Sequence, residues 1–273
     1  MTETAEPLTH PAYGRLRAVT DTASVLLADN PGLLTLDGTN TWVLRGPRSD
    51  ELVIVDPGPD DDEHIARIAS LGRIALVLIS HRHGDHTDGI DKLVELTGAT
   101  VRSAGSGFLR GLGGELIDGE VIDAAGLKIK VMSSPGHTAD SLSFLLEDAV
   151  LTADSVLGRG TTVIAQDGSL GPYLESLRRL RSLADSVDLA MLLPGHGPLL
   201  DDPAGTLDYY LAHRAERLDE VRAAVAAGDT TTAQIVARVY AAVDQRLWPV
   251  AELSVRAQLD YLTEQGELPP PAS

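Results

Sequence analysis

An uninterrupted apolar run, Ala75–Ile79, leads straight into His81-Arg82-His83-Gly84-Asp85-His86. A short aliphatic run without alternation reads as a strand buried on both faces, so structure must cover it above and below. The polar residues behind it then fall at the rim, where a rigid strand passes into a loop able to carry ligands. In extended backbone, residues i and i+2 project to one side, so His81 and His83 can share an ion. Asp85 and His86, a turn further on, face a neighbouring position. Imidazole and carboxylate together suit zinc, with iron or manganese as substitutes. The chain has no cysteine, which excludes disulfides, thiolate ligands and a cysteine nucleophile.

Three later positions repeat the placement of a ligand type at a strand end. His137 follows the apolar run 127–132 within Ser134-Pro135-Gly136-His137-Thr138. Asp154 follows 149–151, and His196 follows 189–193 within Pro194-Gly195-His196-Gly197. Each is flanked by turn residues. Together with the first motif they are read as one ligand set.

The remaining pattern indicates two sheets with helices outside. Strand-like runs at 17–28, 41–44 and 52–55 are separated by Asn30-Pro31-Gly32, Asp37-Gly38 and Gly46-Pro47. A helix is predicted at 61–71; it is read as an outer helix, and His64 on it lies outside the candidate ligands, so its loss should be nearly silent. Another is predicted at 89–96, followed by a short strand at 99–101. Strands at 120–122, 127–132, 142–146 and 149–151 precede a helix at 172–183 and a buried strand at 189–193. Strand meanders followed by mixed strands and helices, twice over, predict an α+β chain of αββα sandwich type rather than a doubly wound parallel sheet. From Thr206 the composition becomes Ala/Arg/Glu-rich. Helices are predicted at 207–227, from the Thr230–Thr232 cap to 242, and at 250–265, giving a small helical, winged-helix-like appendage. The expected division is a catalytic domain over 13–205 and a C-terminal domain over 206–273, with the first twelve residues loose.

Charge narrows the partners. The 273 residues hold 22 Lys and Arg against 40 Asp and Glu, a net charge of −18. Such a balance repels polyanions. The appendage has six arginines against ten acids, whereas a DNA reader needs a basic face. Its expected role is packing or oligomer formation. The first ten residues, MTETAEPLTH, have no base, unlike a secretory leader, and the apolar runs fall far below the ~20 residues of a membrane span. A cytoplasmic location without membrane contact is expected.

With these residues in place, the chain resembles the metallo-β-lactamase superfamily over about 13–200. The resemblance implies two divalent ions, Zn²⁺ with Mn²⁺ or Fe²⁺ as alternatives. One would take His81, His83 and His137; the other would take Asp85, His86 and His196, with Asp154 bridging. A hydroxide between the ions would be the nucleophile. Asp56, in Val55-Asp56-Pro57-Gly58, matches an aspartate that braces the ligand loop. A narrower resemblance, to the lactamase-like protein 2 subgroup, rests on Leu36-Asp37-Gly38-Thr39-Asn40-Thr41-Trp42, Pro135–Ser141, Leu157-Gly158-Arg159-Gly160-Thr161-Thr162 and Tyr210-Leu211-Ala212-His213-Arg214. That subgroup includes a single-strand endoribonuclease and polyketide thioesterases. Two departures stand out: Ser80 replaces a usual threonine, and Thr87-Asp88-Gly89 replaces a usual Gly-Gly.

The resulting expectation is a dinuclear metal-dependent hydrolase of a small ester, thioester or related substrate. A metal-dependent endoribonuclease acting on single-stranded RNA is the alternative, disfavoured by the charge. Asp85 and His213 are the expected catalytic residues, His213 as a proton donor. Asn40, Thr41 and Arg214 are the expected substrate contacts, Arg214 as an anion clamp.

Overall fold

Apolar runs separated by turn residues fold here as a meander. The computed structural model describes residues 12–165 and 167–268; of the loose segment expected at the N-terminus, residues 1–11 lie outside them. Strands β1 (Arg17–Ala18), β2 (Ala23–Leu27), β3 (Asn40–Leu44) and β4 (Glu51–Val55) pair antiparallel in sequence order. Then β5 (Arg73–Leu78) and β6 (Thr100–Arg102) continue the sheet in parallel. Each parallel step needs a crossover. Helix α1 (Asp62–Ala69) supplies the first, and α2 (Gly84–Thr87) with α3 (Ile90–Thr97) the second. Asp61 caps α1 by accepting from the Glu63 and His64 N–H groups, and left-handed Gly98 ends α3. Ile65, Ile68, Ile90 and Leu93 form one core with Ile54, Val77 and Ile79. That packing fixes the ends of β4 and β5, from which the candidate ligands emerge.

The chain divides into two compact units. One holds the residues up to Lys130 together with Gly195–Gly197, and the other holds Val131–Pro194 with the residues from Pro198 onward. The division falls within β8 (Leu127–Ser133). Its hairpin with β7 (Val121–Ala124) turns on Ala125 and Gly126, both at positive φ, the two-residue turn that matches strand twist. The second sheet runs β11-β10-β9-β8-β7, with β9 (Leu142–Leu145) antiparallel to β10 (Ala149–Ala153) and β10 parallel to β11 (Met191–Pro194). Helix α4 (Leu170–Ser186) makes that crossover. It shares one core with α5 (Pro203–Ala226), α6 (Thr232–Val239) and α7 (Trp248–Glu264), through Tyr173, Leu177, Leu207, Tyr210, Val236 and Val255. Thr231 and Gln234 form a capping box on α6. Two mixed sheets with helices are the elements of the expected fold class. Among the described residues no helix is long and apolar enough to cross a membrane.

Boundaries differ where side chains intervene. The run 17–28 breaks because Thr20 Oγ1 accepts from the Thr22 and Ala23 N–H groups and turns the chain. Helix α5 begins before Leu207, at Pro203, because Asp202 caps it through the Gly205 N–H at 2.9 Å.

His64 corrects an expectation. It lies on the inward face of α1, 5% exposed, with Nε2 2.8 Å from Thr41 Oγ1. Burial pushes its pKa down to about 4, against a small opposing pull from Asp61. The unfolded chain takes this proton near 6.5 and the folded chain resists it to about 4. His64 therefore contributes stability in full above pH 6.5, and that contribution is lost as pH falls towards 4. Between pH 7.5 and 4.5 the loss is roughly 2–3 kcal/mol at ~1.4 kcal/mol per pH unit. Urea unfolding at both pH values should show the wild type losing that much more stability than His64→Gln. Parallel losses would show that the buried imidazole does not set this dependence.

Candidate metal centre

In the first unit the centre is built outward from Asp56. At the end of β4 its backbone turns left-handed, φ 55°, an uncommon state for a residue other than glycine and one that stores strain. The turn aims the buried carboxylate at the loop after β5. Its Oδ1 accepts the Ser80 N–H at 2.8 Å, and Oδ2 accepts the Ser80 hydroxyl at 2.6 Å and His86 Nδ1 at 2.9 Å. Asp56 thus holds both Ser80, just before the motif, and His86 at its end.

These bonds fix the imidazole tautomers. The Ser80 proton goes to Asp56, so the Ser80 oxygen accepts from His81 Nδ1 at 2.9 Å and leaves His81 Nε2 as the acceptor. His83 Nδ1 lies 3.1 Å from that Nε2. His86 donates Nδ1–H to Asp56. His196 donates Nδ1–H to the Gly38 carbonyl at 3.1 Å. Both therefore present Nε2 as an acceptor.

His86 Nε2 and His196 Nε2 are 3.3 Å apart, and Asp85 Oδ2 lies 3.5 and 3.2 Å from them. Three electron-rich atoms at this spacing repel one another unless a cation lies among them. Tetrahedral bonds of about 2.0–2.1 Å place ligand atoms about 3.3 Å apart, so this donor set fits a divalent ion. The Thr39 hydroxyl donates to Asp85 Oδ2 at 3.2 Å while accepting from Asn30 Nδ2 at 2.9 Å. Thr39 also pairs with His196 across a β-bridge.

Asn40 and Thr41 belong to this same support. Asn40 donates its amide to the Gly197 carbonyl at 2.9 Å and its N–H to the Gly195 carbonyl at 2.8 Å, holding the His196 loop. Thr41 is fully buried against His64. Gly89, in the segment that replaces Gly-Gly, has a clear reason to remain glycine. A Cβ there would lie 2.4 Å from Ile65 Cδ1 and 3.1 Å from the Gly58 and Pro59 carbonyls.

In the second unit, His137 leaves the turn after β8. Gly136 at φ 146° would place a Cβ 2.3 Å from Tyr173 Cα, so only glycine permits this approach to α4. His137 donates Nδ1–H to the Val163 carbonyl at 2.9 Å, and its Nε2 faces Asp154 Oδ2 at 3.5 Å. Asp154 follows an irregularity in the β10–β11 register and left-handed Ala153, φ 46°, which re-aim the strand end.

His213 and Arg214 lie on α5 in this unit. His213 is half-buried, with its ring 5.9 Å from the Tyr209 ring. Desolvation first, then Arg214 and Arg217, lowers its pKa. That favours its neutral form. Arg214 is buried, and its guanidinium donates to the Thr162 carbonyl. The supports Ser80, Thr39 and Thr162 received no role in the sequence reading. Thr39 and Thr162 nevertheless lie inside the motifs at 36–42 and 157–162, and Ser80 directly precedes His81.

The profile described as the metallo-beta-lactamase superfamily matches residues 34–196, and the beta-lactamase associated winged helix domain matches residues 231–267. The beta-lactamase-like protein 2 homolog of Caenorhabditis elegans is 32% identical over 223 residues, covering 76% of this chain and 72% of its own. Lactamase-like protein nscB of Trichophyton equinum is 32% identical over 214 residues, again 76% of this chain. The match spans 62% of the length of nscB. A beta-lactamase domain protein from Burkholderia ambifaria shares the fold at TM-score 0.79 and 22% identity, covering 95% of this chain and 91% of its own. A metallo-beta-lactamase family protein from Thermus thermophilus shares it at TM-score 0.75 and 20% identity, covering 91% and 95%.

Proposed function

The chain belongs to the metallo-β-lactamase superfamily, and from that premise we propose that it is a dinuclear, zinc-dependent hydrolase of small esters or thioesters. The observation that carries the metal part is the trio Asp85, His86 and His196, whose three acceptor atoms lie 3.2–3.5 Å apart. In this reading His81, His83 and His137 would hold one ion, that trio would hold the other, and Asp154 would be shared. When bound, such ions lower the pKa of a shared water and polarise the oxygen of the bond to be cleaved.

The protein's own residues supply orientation. Asp56 and Ser80 keep the His81 and His86 protons on the side away from the ions. The Gly38 carbonyl does the same for His196. Thr39 holds one Asp85 oxygen through a hydrogen bond, limiting its rotation.

Charge supports a small substrate. A nuclease must hold several phosphates, usually with Lys or Arg. Of the three lysines, Lys92 is paired with Asp60 and Asp62, and Lys128 with Asp123. Arg102, Arg110, Arg181, Arg222 and Arg238 are paired with carboxylates as well. Metal-loaded protein should therefore turn over acyl thioesters or aryl esters faster than phosphodiesters or a labelled single-stranded RNA at equal low salt. RNA cleavage abolished by His83→Ala, without ester or thioester turnover, would reverse the ranking in favour of the endoribonuclease.

A further inference from the structure

We infer that Arg214 is a positioning residue, holding His137 and Asp154 in register from behind through the 155–163 segment rather than touching substrate. The inference rests on the proposed reading of His137 and Asp154 as metal ligands. An anion clamp presents its guanidinium to a cleft, whereas Arg214 is only 3% exposed. Desolvating a guanidinium is costly, so the contacts of this buried one must offset that cost.

Those contacts form two arms. In one, the guanidinium donates to the Thr162 carbonyl. The Thr162 hydroxyl donates to the Asp154 carbonyl, and the next carbonyl, that of Val163, accepts the His137 Nδ1–H at 2.9 Å. In the other, the guanidinium carbon lies 5.0 Å from the centre of the Tyr173 ring, within cation–π range. The Tyr173 hydroxyl donates to the Ser155 carbonyl at 2.7 Å, immediately after Asp154. One side chain thus stands behind both candidate ligands of this unit.

Tyr210, one helical turn before Arg214 on the same face of α5, grips the start of the segment. Its hydroxyl accepts the Leu157 N–H at 2.8 Å and lies 3.1 Å from the Gly160 carbonyl. The Tyr210-x-x-x-Arg214 spacing therefore acts as a two-point clamp. The Val163 carbonyl is the critical output, because the proton it accepts from His137 Nδ1 makes Nε2 the metal-binding nitrogen. A loop free to shift would release that tautomer.

The test uses Arg214→Met, which keeps bulk but removes the donors, and Arg214→Lys, which keeps charge without the planar fork. Arg217→Met is the comparator, since Arg217 lies on the same helix but bonds Glu220 and the Val239 carbonyl. Ring ¹⁵N shifts of metal-free protein, assigned with His137→Ala, should show His137 as the Nδ1–H tautomer in wild type. Arg214→Met should show a tautomer mixture, partly restored in Arg214→Lys. Chelator competition with Zn²⁺ should show binding of the weaker ion loosened by about 10- to 100-fold in Arg214→Met, the usual scale for lost outer support. Arg217→Met should stay within about twofold of wild type even where it lowers Tm comparably.

Wild-type tautomer and affinity in Arg214→Met would overturn the inference. Unchanged Zn²⁺ affinity in His137→Ala would instead remove His137 from the ligand set, while a tautomer shift in Arg214→Met would still support the brace. Should Arg214→Met fail to fold, Arg214→Lys carries the same two measurements.

Discussion

Replacing Asp56 with alanine is expected to destabilise the metal-free protein by about 3–5 kcal/mol, the range for breaking a buried charged network. The change leaves the Ser80 N–H, the Ser80 hydroxyl and His86 Nδ1–H without their common acceptor. It also places alanine at φ 55°, where a Cβ-bearing residue without a polar side chain is strained by roughly 1–2 kcal/mol. Metal affinity should fall about 10- to 100-fold, because the His81 and His86 protons are no longer held away from the ion. Asp56→Asn should be intermediate, since one oxygen survives but an NH₂ now faces donors. Urea unfolding and chelator competition read the two effects separately. A loss below about 1 kcal/mol with unchanged affinity would contradict the role assigned to Asp56.

Asp154→Ala is expected to lower metal occupancy and turnover together. If one carboxylate serves both ions, its loss should remove about one ion per chain and reduce turnover by on the order of a thousandfold or more. A thousandfold corresponds to about 4 kcal/mol of transition-state stabilisation. The exposed Glu175, on the outer face of α4, is a suitable control, and Glu175→Ala should leave both quantities unchanged. Metal analysis and initial rates on the same preparations decide the point. Wild-type occupancy and rate in Asp154→Ala would remove Asp154 from the bridging position.

The candidate ligands were legible because each follows an apolar run whose burial fixes where the strand must end. The run 75–79 pins His81 and His83 in this way, and β11 does the same for His196. Their orientation was not legible. It depends on partners distant in sequence: Asp56 acts on Ser80 across 24 positions and on His86 across 30, and Gly38 acts on His196 across 158. No local pattern announces such pairs.

His64 and Arg214 show a different failure, in which residue type outweighed periodicity. His64 shares a helical face with Ile68, four residues on, and both are buried. Arg214 lies in the buried stripe Leu207, Tyr210, Leu218 and Val221. The 3.6-residue period places both inward, while residue type suggests a position without consequence for His64 and a substrate contact for Arg214. Asn40 and Thr41 reflect the converse ambiguity, since a motif beside a site can support its loops as readily as it can contact substrate.

In the proposed centre two divalent ions would be held by His81, His83, Asp85, His86, His137, Asp154 and His196. Metal analysis of protein purified without chelators and left undialysed tests it most directly. Two ions per chain are predicted, with hydrolytic activity lost on stripping and restored by Zn²⁺. Well under one ion per chain, with no uptake on adding Zn²⁺ or Mn²⁺, would contradict it.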